Sequence, residues 1–116
     1  MKRMYSGGCQ CGKVRYEVSV ELGEVIACNC SRCGKIGSLL AFTPLSEFKL
    51  QSGKDALTTY KFNKHVVSHR FCATCGIQPF AQGKMGDKPM VMINVRCVEG
   101  VDPESFPVRK YDGASK

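Results

Sequence analysis

The stretch Cys28-Asn29-Cys30-Ser31-Arg32-Cys33-Gly34 places three thiols within six residues. Short spacings of this kind let thiolates converge on one metal ion, and a zinc ion in a structural role has four protein ligands. A catalytic zinc keeps one position open for water or substrate. Three thiols therefore predict an open-sided zinc site at Cys28, Cys30 and Cys33, with the rest of the chain as its scaffold.

The chain has 116 residues, of which 43% are hydrophobic and 23% are charged. This length and composition predict a single folded domain over residues 1–116. The two basic residues near the N-terminus are not followed by an apolar run, and no segment approaches the roughly 20 apolar residues that span a bilayer. We therefore expect no signal peptide, no membrane anchor and a cytoplasmic protein.

Eight cysteines in a cytoplasmic protein favour metal ligands, because thiols stay reduced in that compartment. Four disulfides remain the alternative. If seven thiolates bind two zinc ions, the formal charge of +7 falls to about +4, a modest positive field that favours an anionic small-molecule partner. Nucleic acid is a poor candidate partner, since no run of basic residues exceeds two.

Hydrophobic and polar residues alternate strictly over residues 13–20, which predicts a half-buried strand. Other short apolar runs lie between Gly, Pro, Asn and Ser, and no helical period stands out. Pro79 predicts an edge or bulged strand where it occurs, and the residues after Val101 are expected to form a loop and a frayed tail. The pattern predicts an all-β fold, with further strands at residues 25–27, 38–43, 48–51, 57–62, 66–71, 77–82 and 90–95.

The pair Cys-Gly occurs three times, and a glycine after a ligating cysteine can adopt positive φ without steric cost. Two groupings of the thiols follow from their spacing. A zinc ribbon would join Cys30 and Cys33 to Cys72 and Cys75, and would leave three cysteines without a role. The second grouping makes a closed four-thiol site from Cys9, Cys11, Cys72 and Cys75, and leaves the open triplet of Cys28, Cys30 and Cys33.

Three ordered motifs resemble the glutathione-dependent formaldehyde-activating enzyme family, which also includes centromere protein V. They are Gly-Gly-Cys-Gln-Cys-Gly-Lys-Val-Arg-Tyr at residues 7–16, Cys-Asn-Cys-Ser-Arg-Cys at 28–33 and Phe-Cys-Ala-Thr-Cys-Gly-Ile at 71–77. The resemblance covers a core of about residues 6–102, with a C-terminal tail at 103–116.

The resemblance implies an all-β, Mss4-like (β-tent) fold with two zinc ions in each chain. It places the structural zinc on Cys9, Cys11, Cys72 and Cys75, which is the second grouping above. It places the catalytic zinc on Cys28, Cys30 and Cys33. All seven positions are cysteine in this sequence.

The reaction that the resemblance implies joins glutathione and formaldehyde to S-hydroxymethylglutathione, and its reverse is a carbon–sulfur lyase reaction. Glutathione carries two carboxylates, so its site needs cations. Arg32 and Lys35 flank the triplet and are the first candidates for glutathione contacts, followed by Arg70 and Arg96. For each of them a solvated surface charge is the alternative.

Three more residues have side chains that can carry a proton or bind a metal ion, and no role has been assigned to them so far. His69 is a candidate proton shuttle, although a packed strand histidine is the commoner case, and His65 is expected to be exposed in a polar turn. Cys97 is either an eighth ligand for the triplet or a small buried residue at a strand end.

Two alternatives to the lyase remain open. One is a non-enzymatic zinc-binding β module for protein or nucleic-acid interaction. The other is sequestration of a thiol or an aldehyde without turnover.

Overall fold

The computed structural model describes residues 2–62 and 67–115, and in these ranges the chain forms two β-sheets, one short α-helix and five single-turn 3-10 helices. The smaller sheet has the strand order β1-β2-β5, and the larger has the order β10-β3-β4-β9-β8-β7-β6. The strands are β1 (Arg3–Gly8), β2 (Arg15–Val20), β3 (Val25–Cys28), β4 (Leu40–Pro44), β5 (Phe48–Ser52), β6 (Leu57–Tyr60), β7 (Ser68–Cys72), β8 (Phe80–Met85), β9 (Lys88–Asn94) and β10 (Val108–Tyr111), and the helix is α1 (Ser31–Ile36). The prediction of an all-β fold is confirmed.

The small sheet is built around the alternating segment that the sequence indicates. Val14, Tyr16, Val18 and Val20 are at most 2% exposed, so this face of β2 is fully covered. β2 pairs antiparallel with β1 on one side and with β5 on the other. Burial of one complete strand face is the main apolar contribution of this sheet to the core.

An aromatic cluster joins the two sheets. Tyr16 of β2 lies 5.2 Å from Phe48 of β5 between ring centroids, and Phe48 lies 4.7 Å from Phe80 of β8. Tyr16 and Phe80 meet edge to face at 6.2 Å. Val91 and Ile93 of β9 are fully buried in the same core. The core therefore lies between the small sheet and one face of the large sheet.

The opposite face of the large sheet carries a second row of side chains. Strand pairing places Phe42, Met92, Ala81, His69 and Tyr60 side by side across five strands. Directly paired residues point to the same side of a sheet, and their chain neighbours point to the other side. The neighbours Ile93 and Phe80 are in the core, so this row lies on the outer face of the sheet.

Several strand boundaries differ from the sequence predictions. The prediction that Pro79 marks an edge or bulged strand is wrong, because Pro79 precedes β8 and so interrupts no hydrogen bond of that strand. β8 lies between β7 and β9, and it joins β9 through a two-residue turn at Gly86 and Asp87. Gly86 has a φ of +61°, a conformation that tight hairpin turns require.

Two strands and the α-helix were not predicted from the sequence. β1 ends in the first two residues of the first motif, α1 begins within the cysteine triplet and extends to Ile36, and β10 occupies part of the expected tail. The expectation of a frayed tail is therefore wrong for residues 108–111, which pair with β3 in parallel. The predicted turn at residues 63–65, with His65, lies outside the described residues.

Within the described residues, no helix has both the length and the apolar character that crossing a bilayer requires.

Candidate metal centres

The structure brings four sulfur atoms together where the small sheet meets the end of β7. Cys9 and Cys11 follow β1, Cys72 ends β7 and Cys75 lies in the turn after it, and their sulfurs are all within 4.8 Å of one another. The Cys9 and Cys11 sulfurs are 3.6 Å apart, and those of Cys11 and Cys72 are 3.7 Å apart. Tetrahedral zinc–sulfur geometry separates two ligand sulfurs by about 3.8 Å. This four-cysteine cluster therefore fits a fully coordinated zinc ion.

The turns that carry this cluster depend on glycine at two positions. Gly12 has a φ of +86° and Gly76 has a φ of +79°, and each directly follows a cysteine of the cluster. A side chain is disfavoured in this left-handed region, so glycine lets the backbone turn back towards the sulfurs. The third Cys-Gly pair is different, because Gly34 lies within α1 and does not have positive φ.

Backbone N–H groups point at the sulfurs of the four-cysteine cluster. The N–H of Val14 donates to Sγ of Cys9 over 3.3 Å. Hydrogen bonds from the backbone of Ile77 and of Cys11 lower the pKa of the Cys75 thiol to about 6. Donors of this kind stabilise the thiolate form, which is the form that binds a metal ion.

The second cluster is formed by the triplet itself. Cys28 ends β3, Cys30 caps the N-terminus of α1 and Cys33 lies in the first turns of that helix. The Cys30 sulfur accepts a hydrogen bond of 3.3 Å from the N–H of Cys33. The three sulfurs lie within 4.8 Å of one another. Because Cys30 is the N-cap of α1, the chain turns at this residue and brings the three thiols of residues 28–33 together.

The two clusters differ in the number of sulfur ligands that they offer. Four thiols complete a tetrahedral site, whereas three leave one position for a further ligand. Cys30 and Cys33 lie with Cys28, so the described residues do not form the zinc ribbon that the sequence left open. Thiol donors also select zinc, copper(I) or iron–sulfur clusters over magnesium or calcium, which prefer oxygen.

Cys97 belongs to neither cluster among the described residues. Its thiol donates weakly to the backbone oxygen of Gln78 over 3.8 Å, and burial raises its pKa to about 11. A neutral, half-buried thiol in the 3-10 turn after β9 fits the packing role better than the role of an eighth ligand.

The side chain of Arg32 extends from α1 to the outer face of the large sheet. Its Nε and Nη2 atoms both donate to Oε1 of Gln78, at 3.0 Å and 2.8 Å. The guanidinium carbon lies 4.8 Å from the ring centroid of Tyr60 and 5.7 Å from that of Phe71. Two hydrogen bonds and two aromatic faces fix the orientation of this cation.

A groove of about 300 Å³ opens beside α1 and Arg32. Lys35 in the last turn of α1 adds a second positive charge, and the stacked rings of Tyr60 and Phe62 form an aromatic side. The groove is lined by Ser31, Arg32, Lys35, Ile36, Tyr60 and Phe62. A larger groove of about 610 Å³ lies along Lys13 and residues 50–56, and among the described residues neither groove is lined by a cysteine.

The other two candidate arginines have partners away from this groove. Arg70 donates to Gln82 over 2.7 Å and lies over the ring of Phe80 at 5.9 Å. Arg96 donates to the backbone oxygen of Gly37 over 3.0 Å and approaches Glu104 at 4.0 Å. The structure therefore places Arg32 and Lys35 together in the groove beside α1, and places Arg70 and Arg96 outside the lining of that groove.

His69 is 6% exposed and stacks on Phe62 with 5.3 Å between ring centroids. Its Nδ1 is buried and has no hydrogen-bond partner among the described residues. Burial, together with the nearby charge of Arg32, lowers the pKa of His69 to about 4. A neutral, stacked imidazole fits the alternative of a packed strand histidine better than that of a proton shuttle.

The architecture defines a small β protein with two cysteine clusters that fit metal ions. The chain belongs to the family of the glutathione-dependent formaldehyde-activating enzyme, whose family model matches residues 4–110. It is also similar to a Rhodobacter sphaeroides protein of known crystal structure, with a TM-score of 0.79 and 33% identity, covering 90% of this chain and 99% of that one. The Mss4-like fold that the resemblance implied is confirmed.

We expect the imidazole of His69 to titrate near pH 4, well below the usual value of about 6.5. Because the folded pKa is lowered, His69 contributes stability above about pH 6.5 that is lost as the pH falls towards 4. The chain has two histidines, so a His65→Gln variant leaves one imidazole signal to follow by NMR. A midpoint near pH 6.5 would contradict the burial of this ring.

Proposed function

We propose that this protein is a zinc-dependent carbon–sulfur lyase that acts on a glutathione–formaldehyde adduct of the S-hydroxymethylglutathione type. The observation that carries the proposal is the contrast between a four-thiol cluster and a three-thiol cluster, the latter built on a helix, α1, whose other residues line a cationic groove. Family membership supports the same reaction class. In this proposal Cys9, Cys11, Cys72 and Cys75 hold a structural zinc, and Cys28, Cys30 and Cys33 hold a catalytic zinc.

The reaction needs no oxidant and no further reactant. In the direction of synthesis, the sulfur of glutathione bonds to the carbonyl carbon of formaldehyde and the thiol proton ends on the oxygen. In the lyase direction the carbon–sulfur bond breaks and the hydroxyl proton returns to sulfur. Zinc bound by three thiolates supplies a Lewis acid with room for one more ligand, which favours a deprotonated thiol or a polarised carbonyl.

The protein's own contribution to binding comes from α1 and the groove. Arg32 and Lys35 supply the positive charges that the two carboxylates of glutathione require. Gln78 holds Nε and Nη2 of Arg32, and Nη1 has no hydrogen-bond partner among the described residues. The arginine is therefore held in one orientation with one nitrogen left for a ligand carboxylate, and this orientation lowers the entropy cost of binding.

The proposal extends to the whole chain. Residues 1–116 act as a single domain, because the segment after residue 102 contributes a strand to the large sheet. A cytoplasmic location suits seven reduced thiols.

The test of the proposal is the rate of exchange between formaldehyde and S-hydroxymethylglutathione, measured by NMR with the metal content of the protein known. We expect acceleration over the spontaneous reaction, and loss of that acceleration in Cys30→Ser. Equal exchange rates with and without the metal-loaded protein would show that the glutathione–formaldehyde adduct is not the substrate. Binding of formaldehyde in stoichiometric amounts without turnover would identify sequestration instead.

We expect Gln78→Leu to raise KM for the glutathione adduct more than it lowers kcat, because Arg32 loses the acceptor that orients it. Losing a hydrogen bond to a charged group costs about 1.5–3 kcal/mol. Gln82→Leu is the matched control, since Gln82 accepts from Arg70 away from the groove lining. Similar KM values in the two variants would show that the Arg32 orientation does not serve binding.

We predict two zinc ions in each chain of the wild type, measured by elemental analysis. Cys30→Ser should reduce this to one and leave the circular dichroism spectrum unchanged, because only the open cluster is affected. Cys72→Ser should impair folding, since binding of a structural zinc contributes to the free energy of folding. Cys97→Ser is the control and should retain both ions, and a loss of metal in that variant would contradict the grouping.

A further inference from the structure

The last described residues of the chain run directly beside the cysteine triplet. β10 pairs in parallel with β3, and this pairing places Tyr111 opposite Cys28. The backbone continues the contact beyond the strand, because the N–H of Asn29 donates to the oxygen of Tyr111 over 3.1 Å. Residues 111–115, here named the C-terminal strap, therefore follow the course of the segment that carries Cys28 and Cys30.

The strap holds Asn29, the residue between the first two cysteines of the triplet. Nδ2 of Asn29 donates to Oδ1 of Asp112 over 3.0 Å, and Oδ1 of Asn29 accepts from the N–H of Ala114 over 2.9 Å. The hydroxyl of Ser115 donates to the second oxygen of Asp112 over 2.6 Å. Both ends of the Asn29 amide are thus satisfied by the strap, and this fixes the backbone between Cys28 and Cys30.

Gly113 packs its backbone against the triplet. A Cβ atom at this position would overlap with Sγ of Cys28 and would lie 3.3 Å from Cβ of Cys30. The φ of Gly113 is outside the left-handed region, so the turn itself does not require glycine. The absence of a side chain instead allows the strap to lie directly on the sulfur of Cys28. The strap consequently covers one side of the three-thiol cluster.

We propose that the C-terminal strap forms a wall of the open site, in which Asp112 is a positioning residue for the segment Cys28–Cys30 and Gly113 limits the size of the group that fits beside the Cys28 sulfur. The family match ends at residue 110, so these residues lie beyond the part of the chain that it includes. The inference rests on the proposed function only in taking the triplet as the reacting site.

The consequence for substrates is a preference for small electrophiles. A reagent that approaches the Cys28 sulfur meets the Gly113 backbone, and a wide reagent is hindered more than a narrow one. The hydrogen bonds from the strap to both ends of the Asn29 side-chain amide keep this wall in place. Loosening the wall should therefore increase reaction with wide reagents most.

The test compares alkylation of Cys28 by iodoacetamide and by the wider N-ethylmaleimide, in the protein as purified with its metal content measured. Peptide mass spectrometry gives the rate at each cysteine. We expect Asp112→Ala to raise the N-ethylmaleimide rate at Cys28 by about tenfold, the scale of losing a hydrogen bond to a charged group, and the iodoacetamide rate by less. The rate at Cys11, in the four-cysteine cluster, should not change.

Three matched variants complete the test. Asp112→Asn retains an acceptor for Asn29 and should restore rates close to wild type. Asp102→Ala removes a carboxylate that caps a separate turn and should have no effect at Cys28. Equal Cys28 rates in wild type and Asp112→Ala, or the same increase in Asp102→Ala, would overturn the proposal.

Gly113→Ala tests the contact with sulfur. Its methyl group cannot coexist with the Cys28 sulfur in the present geometry, so either the strap or the thiol must shift. We expect faster alkylation of Cys28 and faster release of one metal ion to a chelator. Gly23→Ala is the control, because a Cβ at Gly23 meets nothing within 4 Å. Identical behaviour of the two variants would overturn the role of Gly113. These assays need no turnover, so their outcome is independent of the proposed reaction.

Discussion

The convergence of four sulfurs from two distant parts of the chain is the constraint on which the rest of the structure depends. Cys11 and Cys72 are 61 positions apart, and their sulfurs lie 3.7 Å from each other. This contact ties the end of β1, in the small sheet, to the end of β7, in the large sheet. Cys72 has no exposed surface, so the tie lies at the margin of the core and not on a peripheral loop. The two sheets therefore meet at one corner in the four-cysteine cluster and in the middle in the aromatic cluster.

The four-cysteine cluster also determines the position of residues near the triplet. After the turn at Cys75, the backbone returns so that the N–H of Cys72 donates to the oxygen of Ile77 over 3.0 Å. This hydrogen bond sets the next residue, Gln78, whose side chain holds Arg32 and whose backbone oxygen accepts from Asn94. A continuous set of contacts thus runs from the four-cysteine cluster to α1, the helix that carries Cys33. The four-cysteine cluster is therefore connected, through Gln78, to the orientation of Arg32 on α1.

The sequence was most informative where the pattern had a direct physical cause. Strict alternation over residues 13–20 identified a strand with one covered face, because burial of that face forces a period of two. The cysteine motifs, with the resemblance that they carry, pointed to the same two groups of sulfurs that the structure brings together. The all-β class followed from short apolar runs between turn residues.

The missed features have weak local signals. α1 has six residues, too few to show a helical period, and its start depends on a cap from Cys30. β10 is exposed along its whole length, so burial leaves no alternation in its sequence, and its pairing with β3 depends on tertiary contact. The strap was missed for the same reason, since Asp112 and Gly113 look like ordinary loop residues until Asn29 is placed beside them.

The two cysteine clusters differ in the sequence separation of their members, and this difference affects the order in which they can form. The triplet needs the closure of only a few residues, so an unfolded chain can assemble it at little entropic cost, whereas the other cluster must first bring together segments some sixty residues apart. Long-range pairing of this kind is slow to form. During synthesis or refolding, the three thiols of the triplet can therefore come together before the four-cysteine cluster exists.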